Sequence, residues 1–340
     1  MCYIYCIICK LWYTVSGDYM RTITIGKNDG GQRLDKFLLK RFKTMPKSLM
    51  HKYLRTKYIK LNGKKCTPEV FINEGDVLTL YIKDEFFVES KKEYEFMKAS
   101  KKLDLVYEDE NIMLIDKKVG VIVHQDKNYD ADCVVNRVQR YLYEKCEYDP
   151  DSEKAFSPAL VNRIDRNTAG IIIGAKNAMA LRILNEKVRT REIRKFYLCV
   201  IKGKPKKSRD TLKDYLTKNE KTNTVRISKN ETPNSKEVIT KYEVLSYDKE
   251  RDLSLLEVEL LTGRTHQIRA HMAHIGHPLL GDEKYGDKAL NKRYHQNHQL
   301  LCSYKLMFDF TNDAGELSYL NGKEYSLKEI WFCKDNKIKL

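Results

Sequence analysis

The chain has 340 residues and a formal net charge of +16 at pH 7, and 42% of its residues are hydrophobic. This length predicts two domains, and because no apolar run reaches about 18 residues, we expect no transmembrane helix. The basic excess predicts a polyanionic partner, with RNA, DNA or an acidic surface as the candidates. Nine scattered cysteines without a paired C-x-x-C spacing indicate a reduced, cytoplasmic protein.

The first 19 residues are rich in cysteine and aromatic residues, and no basic residue precedes their apolar run. A signal peptide needs such a basic start and a cleavage site of small residues. We therefore expect residues 1–19 to be a disordered or upstream extension, with Met20 as the working start.

Residues 20–85 predict a small basic module with 15 Lys or Arg and 7 Asp or Glu. Its first helix is indicated by apolar residues at helical spacing, namely Leu34, Phe37, Leu38 and Phe42. A second helix is predicted over roughly 47–56. Asn62-Gly63 follows and is typical of a tight hairpin between two strands. Two basic helices packed on a small sheet would present one cationic face.

Four segments of this module resemble the S4 RNA-binding domain: Arg33-Leu34-Asp35, Lys47-Ser48, Ile59 through Gly63, and Gly75-Asp76. The resemblance implies that the second helix and the loop after it hold RNA phosphates. The residues concerned are Lys47, Lys52, Arg55, Lys57 and Lys60. The alternative is a solvated lysine-rich helix, but the clustering of basic residues on one module favours RNA.

Residues 86–102 are highly charged and predict a linker. Strands and helices then alternate over residues 103–325, including a helix that Asp130 would cap and a polar stretch over 206–236 that predicts an exposed hairpin or flap. Connections of both hairpin and helical type predict an α+β domain with a mixed, largely antiparallel sheet and flanking helices. Residues 326–340 are expected to form a C-terminal tail.

The segment "VNRIDRNTAG" places one carboxylate, Asp165, between Arg163 and Arg166 and just before an apolar strand. One interpretation is a surface turn with an ion pair. The other is a catalytic acid at the binding site of an anionic substrate. Arginine beside a carboxylate favours its ionised form and fixes its orientation through paired hydrogen bonds. The segment alone does not decide between the two.

Residues 260–286 contain four histidines and a predicted helix that ends at Gly276. The histidines do not share a face at metal-binding spacing, so we expect no metal site. The more informative feature is a set of donors at the start of the helix: Arg264, Thr265, Gln267 and Arg269. Such donors suit a phosphate or a carboxylate.

Three segments together resemble the RluA-type pseudouridine synthases, which modify mainly large-subunit ribosomal RNA. These are "NRIDRNTAG", "KFYLCVIKG" and "GRTHQIRAHMAHIGHPLLGDEKYG". The resemblance implies that Asp165 is the nucleophile, that Tyr197 stacks on the target base and that Arg269 pairs with Asp165. It further implies that Arg163, Arg264 and Gln267 contact RNA, that 23S rRNA is the substrate and that no cofactor, protein partner or membrane is needed by a monomeric enzyme.

The chemistry of uridine isomerisation agrees with these residues. A hydrolytic glycosidase usually needs two carboxylates, whereas the motif offers one, which suits a reaction that recaptures its own base. Whether Asp165 attacks C1′ or first abstracts a ribose proton is open. The chain departs from the family motif at Asn162, where histidine is usual, and at Ile164 and Ala169. The alternatives are a catalytically silent RNA-binding assembly factor and an RNA glycosidase that releases uracil.

Overall fold

The computed structural model describes residues 4–6, 11–13, 19–87, 94–125, 131–151, 153 and 155–335. Four predictions fall wholly or partly outside the described residues. They concern most of the extension over residues 1–19, part of the linker, the helix cap at Asp130 and the end of the C-terminal tail. The chain divides into two units, of which the first comprises residues 1–97, 142–158 and 177–179 and the second the remainder.

Residues 20–85 of the first unit contain the two helices that the apolar spacing predicts, and the described strands of the unit form a six-stranded and a two-stranded sheet. Its elements are β1 Ile4–Cys6, β2 Leu11–Tyr13, β3 Tyr19–Thr24, β4 Gln32–Arg33, α1 Leu34–Arg41, α2 Lys47–Arg55, β5 Ile59–Leu61, β6 Lys64–Lys65, β7 Phe71–Ile72 and β8 Val77–Tyr81. The order of the six-stranded sheet is β1-β2-β3-β8-β5-β6. Phe37, Leu38 and Leu54 are almost fully buried in its core, because they recur on the inner faces of the two helices.

Residues 142–158 pack with this first unit, although the sequence-based division into continuous domains assigns them to the second. The Asn28 amide donates a hydrogen bond of 2.6 Å to Glu153, and Ala155 packs against the first core. The domain limits at 20–85 and 103–325 stay predictions.

The second unit is built on one large sheet with helices, and the division between the units falls within two of these helices, those over 134–144 and 178–189. Its elements are β9 Leu105–Glu108, β10 Ile112–Lys117, α3 Val134–Glu144, β11 Ala159–Leu160, β12 Ala169–Ala175, α4 Ala178–Arg189, β13 Ile193–Lys202, β14 Arg209–Asn219, β15 Thr224–Ser228, β16 Lys236–Asp248, β17 Leu253–Leu260, α5 Gln267–His274, α6 Lys288–Arg293, β18 Leu301–Phe308, β19 Glu324–Ser326 and α7 Trp331–Asp335. None of the helices in the described parts of the chain is long and apolar enough to cross a bilayer.

The large sheet has the order β15-β14-β16-β17-β13-β18-β12-β10-β9, with β11 paired to β12 and β19 to β18. Only β12 and β18 run parallel among these described pairs, so the prediction of a mixed, largely antiparallel α+β sheet is confirmed. The predicted flap over 206–236 contains the hairpin β14–β15, and β14 also pairs with β16 and so extends the main sheet. Ile330 and Phe332, in the predicted tail, are buried in a core of this unit.

Candidate active site

Asp165 lies in the loop between β11 and β12, and the backbone of this loop is anchored at the aspartate and at the residue after it. The Asp165 carbonyl accepts a hydrogen bond of 3.1 Å from the Thr168 amide, and the Arg166 carbonyl accepts one of 3.0 Å from the Gly120 amide. Because these bonds are to backbone atoms, they fix the path of the loop independently of its side chains.

Lys117, at the end of β10, holds the same loop from inside the protein. Its Nζ donates to the carbonyls of Lys118, Val121 and Arg166 at 3.0, 2.8 and 2.8 Å, and its side chain is buried. Burial lowers the pKa of Lys117 to about 7, an effect that the nearby Asp165 charge opposes. Three carbonyl acceptors use all three protons of an ammonium, so the geometry is that of the charged form.

Gly170 brings the strand after the motif close to β18. Its φ is +121°, and a Cβ at this position would meet the Ser303 carbonyl oxygen at 2.3 Å. No other residue type fits this approach of two backbones. The glycine of the motif therefore sets the distance between the loop that carries Asp165 and the central strands.

Arg269, in the first turn of α5, is bonded to two carboxylates. Its Nη1 donates to Asp165 Oδ2 at 2.8 Å, while Nε and Nη2 donate to Asp282 Oδ2 and Oδ1 at 2.7 and 2.9 Å. Asp282 also accepts hydrogen bonds from two backbone amides of its own loop. The paired bonds to Asp282 fix the plane of the guanidinium, so that its remaining nitrogen is directed at Asp165.

The charges of this group reinforce one another. Burial would lower the pKa of Arg269, but the hydrogen bonds and charge of Asp282, and then those of Asp165, raise it above its usual value. Burial would likewise raise the pKa of Asp282, and the Arg269 guanidinium keeps it below its usual range. The Arg269 guanidinium is thus a fixed cation beside the Asp165 carboxylate, whose side chain is 27% exposed.

Tyr197 lies on β13 opposite Ser303 of β18 and Val258 of β17. The residue is buried, with 5% of its surface exposed. Burial raises the pKa of its hydroxyl to about 12, and a hydrogen bond to Ser303 acts in the opposite direction. Tyr197 is therefore a neutral aromatic group at neutral pH, held by strands on both sides.

Asp165, Tyr197 and Arg269 line a single cavity of about 300 Å³, at the lower end of the range typical of small-molecule pockets. Lys195, two residues before Tyr197 and hence on the same face of β13, lines the cavity as well. Burial lowers the pKa of Lys195, and no described residue bonds its ammonium. The cavity therefore combines a carboxylate, an aromatic ring and a cation that is free for a ligand.

Two of the arginines predicted from the sequence to contact RNA, Arg163 and Arg264, also line this cavity and are exposed. The guanidinium bonded to the nucleophile candidate is that of Arg269, over a hundred positions away in sequence, whereas Arg163 and Arg166, its neighbours in sequence, are exposed. A surface ion pair between sequence neighbours is thus not the structural role of Asp165.

Gln267 is the one predicted RNA contact that the geometry argues against. Its Oε1 accepts from the Thr262 hydroxyl and the Arg264 amide, and its Nε2 donates to the Ile239 carbonyl and the Thr240 hydroxyl. Because an amide has two acceptor and two donor positions, all of them are used inside the protein. Gln267 therefore fixes the start of α5 and has no group left for RNA.

The predicted RNA contacts of the first unit are solvent-accessible. Lys47, Lys52, Arg55 and Lys57 are exposed, and Lys60 is half-buried with its Nζ 5.2 Å from the centre of the Tyr81 ring. Their role in RNA binding stays a prediction.

Asn162, which stands where the family motif has histidine, has a backbone role. Its Oδ1 accepts a hydrogen bond of 2.8 Å from the Ile173 amide. Its Nδ2 is buried and has no hydrogen-bond partner among the described residues, and the residue lines the cavity. The amide thus supports β12 while leaving one buried donor beside the site.

Sequence reasoning missed Asp282, Lys117, Lys195 and the pair His266 and Tyr285. Asp282 and Tyr285 lie in the quoted segment "GDEKYG". Because a buried arginine such as Arg269 requires a buried anion, an acidic residue of this segment could have been predicted as its partner. Nothing in the sequence marked Lys117 or Lys195 as part of the site, because a single lysine in or beside a strand looks the same whether its side chain is exposed or buried.

Comparison with known proteins agrees with this geometry. Residues 111–274 match the family model described as RNA pseudouridylate synthase. An uncharacterised RNA pseudouridine synthase of Mycoplasma genitalium is 32% identical over 290 residues, which cover 84% of this chain and 88% of the relative. The ribosomal large subunit pseudouridine synthase C of Vibrio vulnificus is 31% identical over 87% of this chain and 90% of the relative.

The same enzyme name belongs to a Haemophilus influenzae relative that is 27% identical over 92% of this chain and 94% of the relative. Among solved structures, human RNA pseudouridylate synthase domain containing 4 has a TM-score of 0.55 at 20% identity and covers 70% of this chain and 94% of its own. That likeness supports the fold.

Proposed function

The chain belongs to the RNA pseudouridine synthase family, and from this premise we propose that it isomerises specific uridines of large-subunit ribosomal RNA with Asp165 as the catalytic carboxylate. The observation that carries the proposal is the bond of 2.8 Å between Arg269 Nη1 and Asp165 Oδ2, in a cavity also lined by Tyr197. A binding protein without a reaction has no need of a carboxylate that is clamped in this way.

The geometry supports a distinct role for each residue. Arg269 occupies Oδ2 of Asp165, and no described residue bonds Oδ1, which leaves that oxygen to act on the ribose as nucleophile or as base. Either step breaks the bond between C1′ and N1 and leaves the uracil as an anion. The base turns and C5 bonds to C1′, which breaks the bond from Asp165 to C1′ on the nucleophilic route, or is accompanied by return of the ribose proton from Asp165 on the other. The C5 proton then leaves and N1 gains a proton, so that no oxidant, reductant or group donor is consumed.

Tyr197 provides a flat, neutral surface for the target base, which must leave its stack in the RNA to reach the cavity. Stacking holds a rotating base without fixing its hydrogen-bonding edge, because every orientation presents the same face. Arg163, Arg264 and Lys195 line the cavity as cations and suit the phosphates on either side of the target nucleotide.

Large-subunit ribosomal RNA is proposed as the substrate because relatives that align over about nine-tenths of this chain carry that substrate in their names. The cationic helix α2 in the first unit has the exposed residues Lys47, Lys52 and Arg55, which supports RNA binding by this unit as well. A monomer without a protein partner suffices for this function.

The proposal is tested by Asp165→Asn, which keeps the shape of the side chain but removes the charge needed for attack or proton abstraction. Single-turnover conversion of large-subunit ribosomal RNA fragments, read by carbodiimide-dependent primer-extension stops, should fall by at least about 10⁴-fold while the RNA dissociation constant changes little. Asp309→Asn is the matched control, because Asp309 is an exposed carboxylate of the same unit outside the cavity. Activity of Asp165→Asn within tenfold of the parent would show that the assignment is wrong.

The same assay separates the two alternative functions. A silent assembly factor binds the fragments and forms no pseudouridine with the parent protein. A glycosidase releases free uracil, which chromatography of the small-molecule fraction detects. A pseudouridine map of all cellular RNA, with and without the gene, then identifies the modified positions.

A further inference from the structure

His266 lines the catalytic cavity and precedes α5 in a left-handed backbone conformation, with φ 52° and ψ 19°. This conformation is uncommon for residues other than glycine, although asparagine, aspartate and histidine adopt it several times more often than the rest. Its side chain is 7% exposed, and Nε2 lies 3.9 Å from Asp165 Oδ2. The reaction outlined above does not use this ring, so its position beside the carboxylate requires an explanation.

The hydrogen bonds of Tyr285 determine which nitrogen of the ring carries a proton. The Tyr285 hydroxyl oxygen accepts a bond of 2.8 Å from the Val225 amide and lies 3.0 Å from His266 Nδ1. Among the described residues, Nδ1 is the one acceptor for the hydroxyl proton. A donating Nδ1–H would leave that proton unbonded, so Nδ1 accepts and the proton of the neutral ring is on Nε2.

The charges around the ring agree with this tautomer. Burial lowers the pKa of His266 to about 4, and the Asp165 charge opposes this effect. The other charged groups that act on the ring are Arg269, Lys284 and Asp282. A proton on Nε2 faces the Asp165 carboxylate favourably, whereas a lone pair there would be repelled by it. The ring is therefore neutral at physiological pH and presents an N–H to the cavity.

We propose that His266 donates its Nε2–H to a carbonyl oxygen of the uracil and that Tyr285 is the positioning residue that fixes this tautomer. The distance of 3.9 Å to Asp165 is too long for a hydrogen bond, which leaves the donor available to the substrate. When the bond between C1′ and N1 breaks, its electrons remain on the uracil and charge its carbonyl oxygens, and a fixed donor stabilises this charge. His266 keeps its proton throughout. This inference rests on the proposed function.

The tautomer is measured without activity. In the full-length protein with ¹⁵N-labelled histidine, two-bond NMR correlations should show His266 neutral with its proton on Nε2 from pH 6 to 8. Tyr285→Phe, which removes the hydroxyl and keeps the ring, should populate the other tautomer. A proton on Nδ1 in the parent, or a doubly protonated ring at pH 7, would overturn the assignment whether or not the protein modifies ribosomal RNA.

The role of the donor is measured with two amide substitutions. His266→Gln places an N–H near the position of Nε2, whereas His266→Asn tolerates the left-handed backbone but is too short to reach the cavity. We expect His266→Asn to lower the single-turnover rate about 10²-fold, with little change in RNA affinity or melting temperature, and His266→Gln to recover at least tenfold of the loss. Equal rates for both variants, or His266→Asn within threefold of the parent, would refute the role while leaving the Asp165 assignment intact.

Discussion

The pair formed by Arg269 and Asp282 allows a quantitative test of how the site is held. The side chains are 6% and 0% exposed, and the Asp282 carboxylate accepts four hydrogen bonds, two from the guanidinium and two from backbone amides. Asp282→Asn preserves size and can keep the backbone bonds, but it turns an NH₂ group toward a guanidinium that only donates. Breaking a buried ion pair on one side costs about 3–5 kcal/mol, a large share of a typical stability of about 5–15 kcal/mol.

The assay is a double-mutant cycle in urea with Asp282→Asn, Arg269→Met and the double variant. Asp282→Asn leaves the buried Arg269 with the half-exposed Asp165 as its remaining carboxylate, and Arg269→Met leaves the buried Asp282 without a cation. The double variant removes both buried charges. We therefore expect the double variant to be more stable than the sum of the single losses implies, with a coupling free energy of at least about 2 kcal/mol. If Asp282→Asn alone fails to fold, the double variant should still fold, because it has no unpaired buried charge.

The same variants report on catalysis. Arg269 without Asp282 loses the two bonds that orient its third nitrogen, and a misplacement of about 1 Å lowers the rate about 10²-fold. The single-turnover rate of Asp282→Asn should fall by that factor, measured under conditions where the protein is folded. A coupling below about 0.5 kcal/mol together with an unchanged rate would refute the view that Asp282 orients Arg269.

Three further outcomes are expected. Replacing Arg55, Lys57 and Lys60 together with alanine should lower the slope of log affinity against log salt by up to about three, with an unchanged single-turnover rate at saturating RNA; an unchanged slope would exclude them from the interface. Lys195→Met should lower the same slope by about one while Lys195→Arg preserves it, and equal slopes would show that no phosphate binds there. The hydrogen bond from Lys187 holds the pKa of Glu192 well below its usual range, so the unfolded chain binds more protons than the folded one. The stability that Glu192 contributes is therefore present above its unfolded pKa of about 4.3 and is lost as the pH falls below that value. Urea midpoints between pH 5 and 2 should therefore decline less steeply for Glu192→Gln than for the parent, and parallel curves would refute the linkage.

Local sequence patterns predicted a helix or turn well where the residues that determine it lie within one short segment. The helix Lys47–Arg55 follows from apolar spacing, the turn between β5 and β6 follows from Asn62-Gly63, and the end of α5 follows from Gly276, whose φ is +85°. In each case the residues that form the contact are within a few positions of each other. The family resemblance likewise identified Asp165, Tyr197 and Arg269, which the structure brings to one cavity.

The sequence was least informative where a contact joins distant positions. Asp165 is bonded by an arginine 104 positions away rather than by its neighbours, and Lys117 bonds a carbonyl 49 positions away. The Gln267 side chain is turned inward by its bonds to Thr240 and Ile239 of β16, which lie 27 and 28 positions earlier in the chain. Such long-range hydrogen bonds depend on tertiary packing, which the spacing of apolar residues along a helix or strand does not predict.

The contact between Gly170 and Ser303 has a consequence for how such a protein acquires new targets. Ser303 pairs with Gly170 on one strand and with Tyr197 on another, so backbone packing sets the spacing between Tyr197 and the strand that follows Asp165. Residues at the mouth of the cavity, such as Arg163 and Arg264, are exposed and take no part in that spacing. Under the proposed function, evolution or a protein engineer can therefore vary these exposed residues to select a different uridine while the backbone spacing behind them is inherited unchanged.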